Sequence, residues 1–224
     1  FDFAFKLAGK QIVAPSRFVE ALGNAQLVDA VKGGNNTVII VGAIAENHPQ
    51  AAAIRAAASA FAAATGAKLC RIPQGANALG LAHAGVLPAG KDVNAMLAQP
   101  RKAYAIYGIE PGLDFADTAA ARKALAGAKV VAFSHFACTS TRDVADVILP
   151  IGALPEIDGT LTNLDGRNQV ARAGGKLQGE AREGWRVLRA LGGDMQLAGF
   201  GFTDLVGLRA GLQPVTVKVA ASAQ

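Results

Sequence analysis

The groups in this 224-residue chain that could do chemistry are few and scattered. The three histidines, His48, His83 and His135, stand at separations that match no metal-ligand pattern, which favours satisfied structural roles over ligation. Two cysteines, Cys70 and Cys138, are too few for a disulfide scaffold, a Cys-rich zinc site or a four-thiolate iron–sulfur cluster, and they read as free thiols of a reducing compartment. Asp143, Asp146, Glu156 and Asp158 form an acidic cluster suited either to general acid/base work or to capping and turning local backbone, and the backbone role is favoured. Ser134 and His135 are adjacent on a strand end and point to opposite faces, so they make no ready dyad, and no nucleophile elbow occurs.

Phosphate-binding signals are also weak. Gly85 to Lys91 approaches a phosphate loop, but Asp92 stands where Ser or Thr would ligate magnesium, no strand precedes it, and its carboxylate would repel phosphate. After the first strand, Gly42-Ala43-Ile44-Ala45 replaces the glycine fingerprint of the dehydrogenases.

The elements that would position such groups are clearer. Five apolar or β-branched runs, Thr37–Gly42, Ala67–Ile72, Ala103–Gly108, Lys129–Ser134 and Asp146–Ile151, each read as a buried strand. Between the first two, Asn47-His48-Pro49 predicts a cap followed by Pro in the first helical turn. Ile54, Ala58 and Phe61 form an apolar stripe, and Gly66 is the stop. This places His48 in the helix's first turn. Further helices are expected from Thr118, after Asp117, to Gly127, over Val93–Leu97, and over Phe18–Val31 with an interruption at Gly23. The fold class is therefore α/β, a doubly wound and mainly parallel sheet with helices on both faces.

After Ile151 the pattern changes. Thr160–Leu164 and Arg167–Ala171 around Asp165-Gly166 predict a two-residue type I′ hairpin pairing Leu161 with Val170 and Asn163 with Asn168. A helix from Arg182 to Leu191 follows, with Trp185, Leu188 and Leu191 as its apolar side and Gly192-Gly193 as its stop. Then come a short helical stretch over Thr203–Leu208 and a strand or tail over Val215–Gln224. Three segments result: an N-terminal segment over 1–36 that packs on the sheet, a parallel α/β domain over 37–151, and a hairpin, helix and tail extension over 152–224.

Loops that follow strands mark the edge where open α/β sheets bind ligands. They bring Glu46, Asn77, Glu110, His135, Thr139 and Thr141 to one rim, which is either a ligand crevice or a loop face.

Composition narrows the classes further. The chain is 51% hydrophobic and 17% charged, and 48 residues are Ala, so the core is built from small side chains and disorder is excluded. The longest Ala-rich run, Ala51–Thr65, contains Arg55 and is too short to span a bilayer, so no direct membrane insertion is expected. The net charge of +5 is densest at Arg167, Arg172, Lys176, Arg182, Arg186 and Arg189, interrupted by Glu180 and Glu183 and without the interleaved aromatics that nucleic-acid binding would need. A start at Phe1-Asp2-Phe3, without Met or signal peptide, reads as a cut from a longer protein.

One ordered constellation is specific. Ala145-Asp146-Val147-Ile148-Leu149-Pro150, Glu156, Gly159-Thr160, Asn163, and Gly166-Arg167 with Gln169 resemble the A-D-V-x-L-P…E…G-T-x-x-N-x-x-G-R-x-Q signature of the molybdopterin oxidoreductase superfamily. Gly75-Ala76-Asn77 with Gly80 is similar to its G-A-N-x-x-G segment. Tyr107-Gly108-Ile109-Glu110-Pro111 is similar to its G-x-N-P loop, with Glu in place of Asn. The run Gly179-Glu180-Ala181-Arg182, Trp185, Val187-Leu188-Arg189, Leu191-Gly192 resembles the family of large G subunits of bacterial NADH-quinone oxidoreductases, and a weaker likeness covers most of residues 38–208.

The resemblance implies the C-terminal region of a large iron–sulfur subunit, a non-catalytic and cofactor-free scaffold with its iron–sulfur clusters in upstream chain. The partners implied are that cluster-bearing part and other peripheral-arm subunits of complex I, at the cytoplasmic face of the inner membrane, with the Arg167–Arg189 run as part of the docking surface. The alternative it leaves open is a C-terminal part of an active, formate-dehydrogenase-like enzyme whose rim loops hold the molybdopterin dinucleotide. A third reading is an independent nucleotide-binding module.

Overall fold

Short β-branched runs become strands here because their side chains pack on a pleated surface, and alanine-rich stretches become helices because alanine loses least on helix formation. The computed structural model describes residues 3–7, 9–88 and 90–212. It divides between Ala78 and Leu79 into two compact units.

In the first unit, α1 (Phe18–Leu22) and α2 (Ala25–Val31) are separated at Gly23, as expected, and the Asn24 side chain caps α2 by accepting from Gln26 N. Then come β1 (Val38–Val41), the single turn α3 (Ala43–Glu46), α4 (Ala51–Thr65) and β2 (Lys68–Arg71), with β1 and β2 parallel and in register from Val38 opposite Lys68 to Val41 opposite Arg71. Ile54, Ala58 and Phe61 are buried, and Gly66 ends α4 at φ +72°, a left-handed value that favours glycine.

Two details differ from the sequence reading. The cap of α4 is Gln50, so Pro49 and His48 lie outside the helix. The preceding turn consumes them: His48 Nδ1 accepts from Gln50 N at 3.0 Å and its carbonyl accepts from Ala51 N at 2.9 Å. Nor is β1 buried on both sides. Ile39 and Val41 converge with Phe18, Leu22, Ile54 and Ala58, whereas Val38 and Ile40, on the other face, are exposed.

The second unit carries α5 (Ala78–His83) across the division, then α6 (Val93–Ala98), β3 (Ala103–Tyr107), α7 (Thr118–Ala126), β4 (Lys129–Ser134), α8 (Thr139–Arg142) and β5 (Val147–Pro150). The sheet order is β3-β4-β5, all parallel. Asp92 caps α6 through Ala95 N and Asp117 caps α7 through Ala120 N, which gives the acidic residue of the failed phosphate loop a structural role. Ile106, Leu125, Val130 and Ala132 form the core, with Tyr104, Ile109, Val144, Ala145 and Ile148 packed against it. Arg182 joins the edge at Ile151 by a parallel bridge.

The hairpin forms from β6 (Gly159–Thr162) and β7 (Asn168–Ala171), but its register is one residue from that expected: Thr160 faces Val170 and Leu161 faces Gln169. The cause is the turn. Asn163 Oδ1 accepts from Asp165 N at 3.1 Å and Arg167 N at 2.9 Å, and the Asn163 carbonyl accepts from Gly166 N, so the loop holds three residues with Gly166 alone at positive φ, +78°. A type I′ turn needs two such residues, and Asp165 is not one.

Helix α9 (Gly184–Asp194) runs through the expected stop at Gly192-Gly193. Its inward face is made partly of glycine: a Cβ at Gly184 would fall on the Tyr107 ring and one at Gly192 on the Phe200 ring. Trp185 is half-buried against Phe202, as expected of it, whereas Leu188 and Leu191 are turned to solvent. Helix α10 (Leu205–Ala210), capped by Asp204, covers the last stretch. The expected strand or tail over Val215–Gln224 lies outside the described residues.

Candidate functional site

The six rim residues fall into two groups, one in each unit. In the first unit Glu46 ends α3, and its carboxylate receives Arg71 Nε and Nη2 at 2.7 Å each and Arg55 Nη1 at 3.4 Å. The Arg71 hydrogen bonds hold its carboxyl below the usual glutamate range against the opposing effect of burial. Asn77, half-buried, precedes α5.

In the second unit the loops after β3 and β4 meet. Pro111 is fully buried, and Gly112 lies against Ser140 with no room for a side chain. Glu110 donates its backbone N–H to Asp114 Oδ2 at 2.6 Å. His135, exposed, stands over Gly108 with Nδ1 3.4 Å from the Ile151 carbonyl, and Ser134 donates to the Phe136 carbonyl, so the two side chains serve different partners. Thr139 opens α8 at the surface, and Thr141 is fully buried.

The centre of this group is a residue that sequence reasoning passed over. The Cys138 thiol meets Ser140 Oγ at 3.3 Å and Thr141 Oγ1 at 3.1 Å. Those two hydroxyls, then the Thr141 backbone N–H, lower its pKa, while burial and the neighbouring Glu110 carboxyl act in the opposite direction. The spacing Cys138-Thr139-Ser140-Thr141, with hydroxyls two and three residues on at a helix start, was the available signal.

The acidic cluster does backbone work, as favoured. Asp146 accepts from Val130 N at 2.7 Å, Glu156 from Ala153 N at 2.9 Å and Asp158 from Ala173 N at 2.8 Å, while Asp143 pairs with Arg122. Part of the basic run is paired locally: Arg172 meets Asp158, Arg182 meets Glu180, Arg186 meets Glu183 and lies over the Trp185 ring, and Arg189 donates to the Phe202 carbonyl. Among the described residues no group of three or more His, Cys, Asp or Glu is placed to hold a metal ion, and no helix is long and apolar enough to cross a membrane.

A phosphate-rich dinucleotide needs cations and N–H donors. The loops 108–114 and 135–141 contain no Lys or Arg, present the carboxyl groups of Glu110 and Asp114, and are packed on each other through Gly112 and Ser140. This donor set does not fit such a group.

Comparison with known proteins agrees with the motifs. The family model described as molybdopterin oxidoreductase matches residues 13–194. The chain is 30% identical over 205 residues to the G subunit of the NADH-quinone oxidoreductase of Shewanella oneidensis, covering 85% of this chain and 21% of that protein. A 47-residue stretch is 51% identical to the mitochondrial NADH-ubiquinone oxidoreductase 78 kDa subunit of Candida albicans, covering 21% of this chain and 6% of that protein. An 86-residue stretch is 34% identical to the alpha subunit of the F420-dependent formate dehydrogenase of Methanocaldococcus jannaschii, covering 38% of this chain and 13% of that protein. The chain thus spans about a fifth of the length of the Shewanella relative. With 182 consecutive residues under the family model and the signature in order from Ala145 to Gln169, this chain belongs to the molybdopterin oxidoreductase family.

Proposed function

We propose that this chain is a non-catalytic, cofactor-free scaffold region of the large iron–sulfur subunit of an NADH-quinone oxidoreductase. Its partners in this reading are the cluster-bearing part of the same subunit and other peripheral-arm subunits, at the cytoplasmic face of the membrane. The observation that carries the reading is the rim of the second unit. Glu110 stands where the family's loop has Asn, a carboxylate that only accepts hydrogen bonds when ionised, and Gly112 against Ser140 closes the loops on each other. The longer likeness to the NADH-quinone oxidoreductase protein, against the shorter one to formate dehydrogenase, supports the choice between the two classes.

The scaffold's work is mechanical. The β3-β4-β5 sheet and the helices packed on it supply the body of the second unit, and the hairpin and α9 extend it by the bridge at Arg182. Calorimetric titration of the chain with guanine nucleotides tests the cofactor-free reading: a flat trace is expected, and saturable one-to-one heat would return the chain to the dinucleotide-holding or nucleotide-binding class.

A further inference from the structure

At the carboxyl ends of β1 and β2 two guanidinium groups converge on one carboxylate. Arg71 engages both oxygens of Glu46 in a two-pronged contact, 2.7 Å on each prong, and Arg55 approaches Oε2 at 3.4 Å. The Glu46 side chain is 8% exposed, whereas those of Arg71 and Arg55 remain 41% and 35% exposed. A surface ion pair leaves both partners in water, but here the carboxylate is sunk beneath cations that solvent still reaches.

The planar fork of arginine matches carboxylate and phosphate oxygens alike. The carboxyl edge of parallel strands is also where open α/β sheets place their anionic ligands. We infer that Arg71 and Arg55 form an oxyanion site of the phosphate class whose occupant is the chain's own Glu46, so that this edge is closed to external anions by an internal one. This deepens the cofactor-free reading and rests on it. A carboxylate tethered on α3 needs no ordering from solution, and one that fills the fork removes the attraction that two unsatisfied guanidiniums would exert on phosphate.

Thermal unfolding of the 224-residue chain in inorganic phosphate and in chloride at matched ionic strength tests this. The wild type, Glu46→Ala, Glu46→Gln and the double variant Glu46→Ala/Arg71→Ala are compared. Phosphate at about tenfold excess over its dissociation constant should raise the midpoint of Glu46→Ala by about 3–6 °C beyond the general shift that phosphate gives all four chains, with a smaller excess for Glu46→Gln and none for the wild type and the double variant. If Glu46→Ala folds in phosphate and not in chloride, the inference stands by rescue. If it folds in neither, the Glu46→Gln comparison decides. Equal midpoints in the two salts for the single variants that fold overturn the inference, as does an equal gain in the wild type or the double variant, which would put phosphate elsewhere. Such a failure would leave the scaffold reading standing on the β3–β4 rim, which the nucleotide titration tests separately.

Discussion

Gly112 and Ser140 touch so closely that a Cβ on residue 112 would lie 2.9 Å from Ser140 Cβ and 3.0 Å from its Oγ. This contact packs the loop after β3 against the start of α8. Gly112→Ala should therefore destabilise the second unit by about 1–3 kcal/mol, the usual cost of overpacking. Urea unfolding followed at Trp185 reads the change, and an unchanged midpoint would mean that the loops yield and the rim is not closed.

Cys138 should behave as an activated thiol because Ser140 and Thr141 stabilise its thiolate. In a Cys70→Ser background, the pH profile of its alkylation should lie below that of an ordinary thiol, and Ser140→Ala should move the profile up. A profile indifferent to Ser140→Ala would remove the hydroxyl as the cause.

The hairpin turn depends on Gly166 at φ +78°. Gly166→Val should cost about 1–3 kcal/mol, because a β-branched residue resists that conformation, while Gly166→Asn should cost less. Denaturant midpoints of the two variants give the order, and equal midpoints would contradict the turn geometry.

What the sequence displayed and what it hid follow one physical line. Strands β1 to β5 and the α4 stripe of Ile54, Ala58 and Phe61 were legible because large or β-branched side chains mark them and Gly66 or Asp117 punctuates them. The inward face of α9 was not, because Gly184 and Gly192 make it by what they lack, and counting large apolar residues pointed to Leu188 and Leu191 instead. The hairpin register hid for a similar reason: Asp165-Gly166 suggests two loop residues, and the Asn163 side chain makes it three. Of the rim, strand order alone placed Glu110, His135, Thr139 and Thr141 together in the second unit, whereas the role of Cys138 rests on hydroxyls two and three residues on, a local spacing that carries no familiar motif.

The ion pair of Glu46 makes stability depend on pH in a definite direction. Its carboxyl is held below the usual value near 4.5 in the folded chain, so its contribution is complete above that value and is lost as pH falls through the lower, folded one. Between neutral pH and this acid range the wild type should lose more stability than Glu46→Gln, in which the other carboxylates titrate unchanged. Parallel stability-versus-pH curves for the two chains would show that Arg71 contributes nothing through this contact.

In the scaffold reading this region of the family's fold carries structure without carrying the cofactor, and elemental analysis of molybdenum in the intact subunit, purified from its native source, decides the matter. Iron without molybdenum is the result expected of a scaffold in the large subunit of an NADH-quinone oxidoreductase. One molybdenum per subunit would contradict it and make the rim of β3 and β4 part of a working cofactor site.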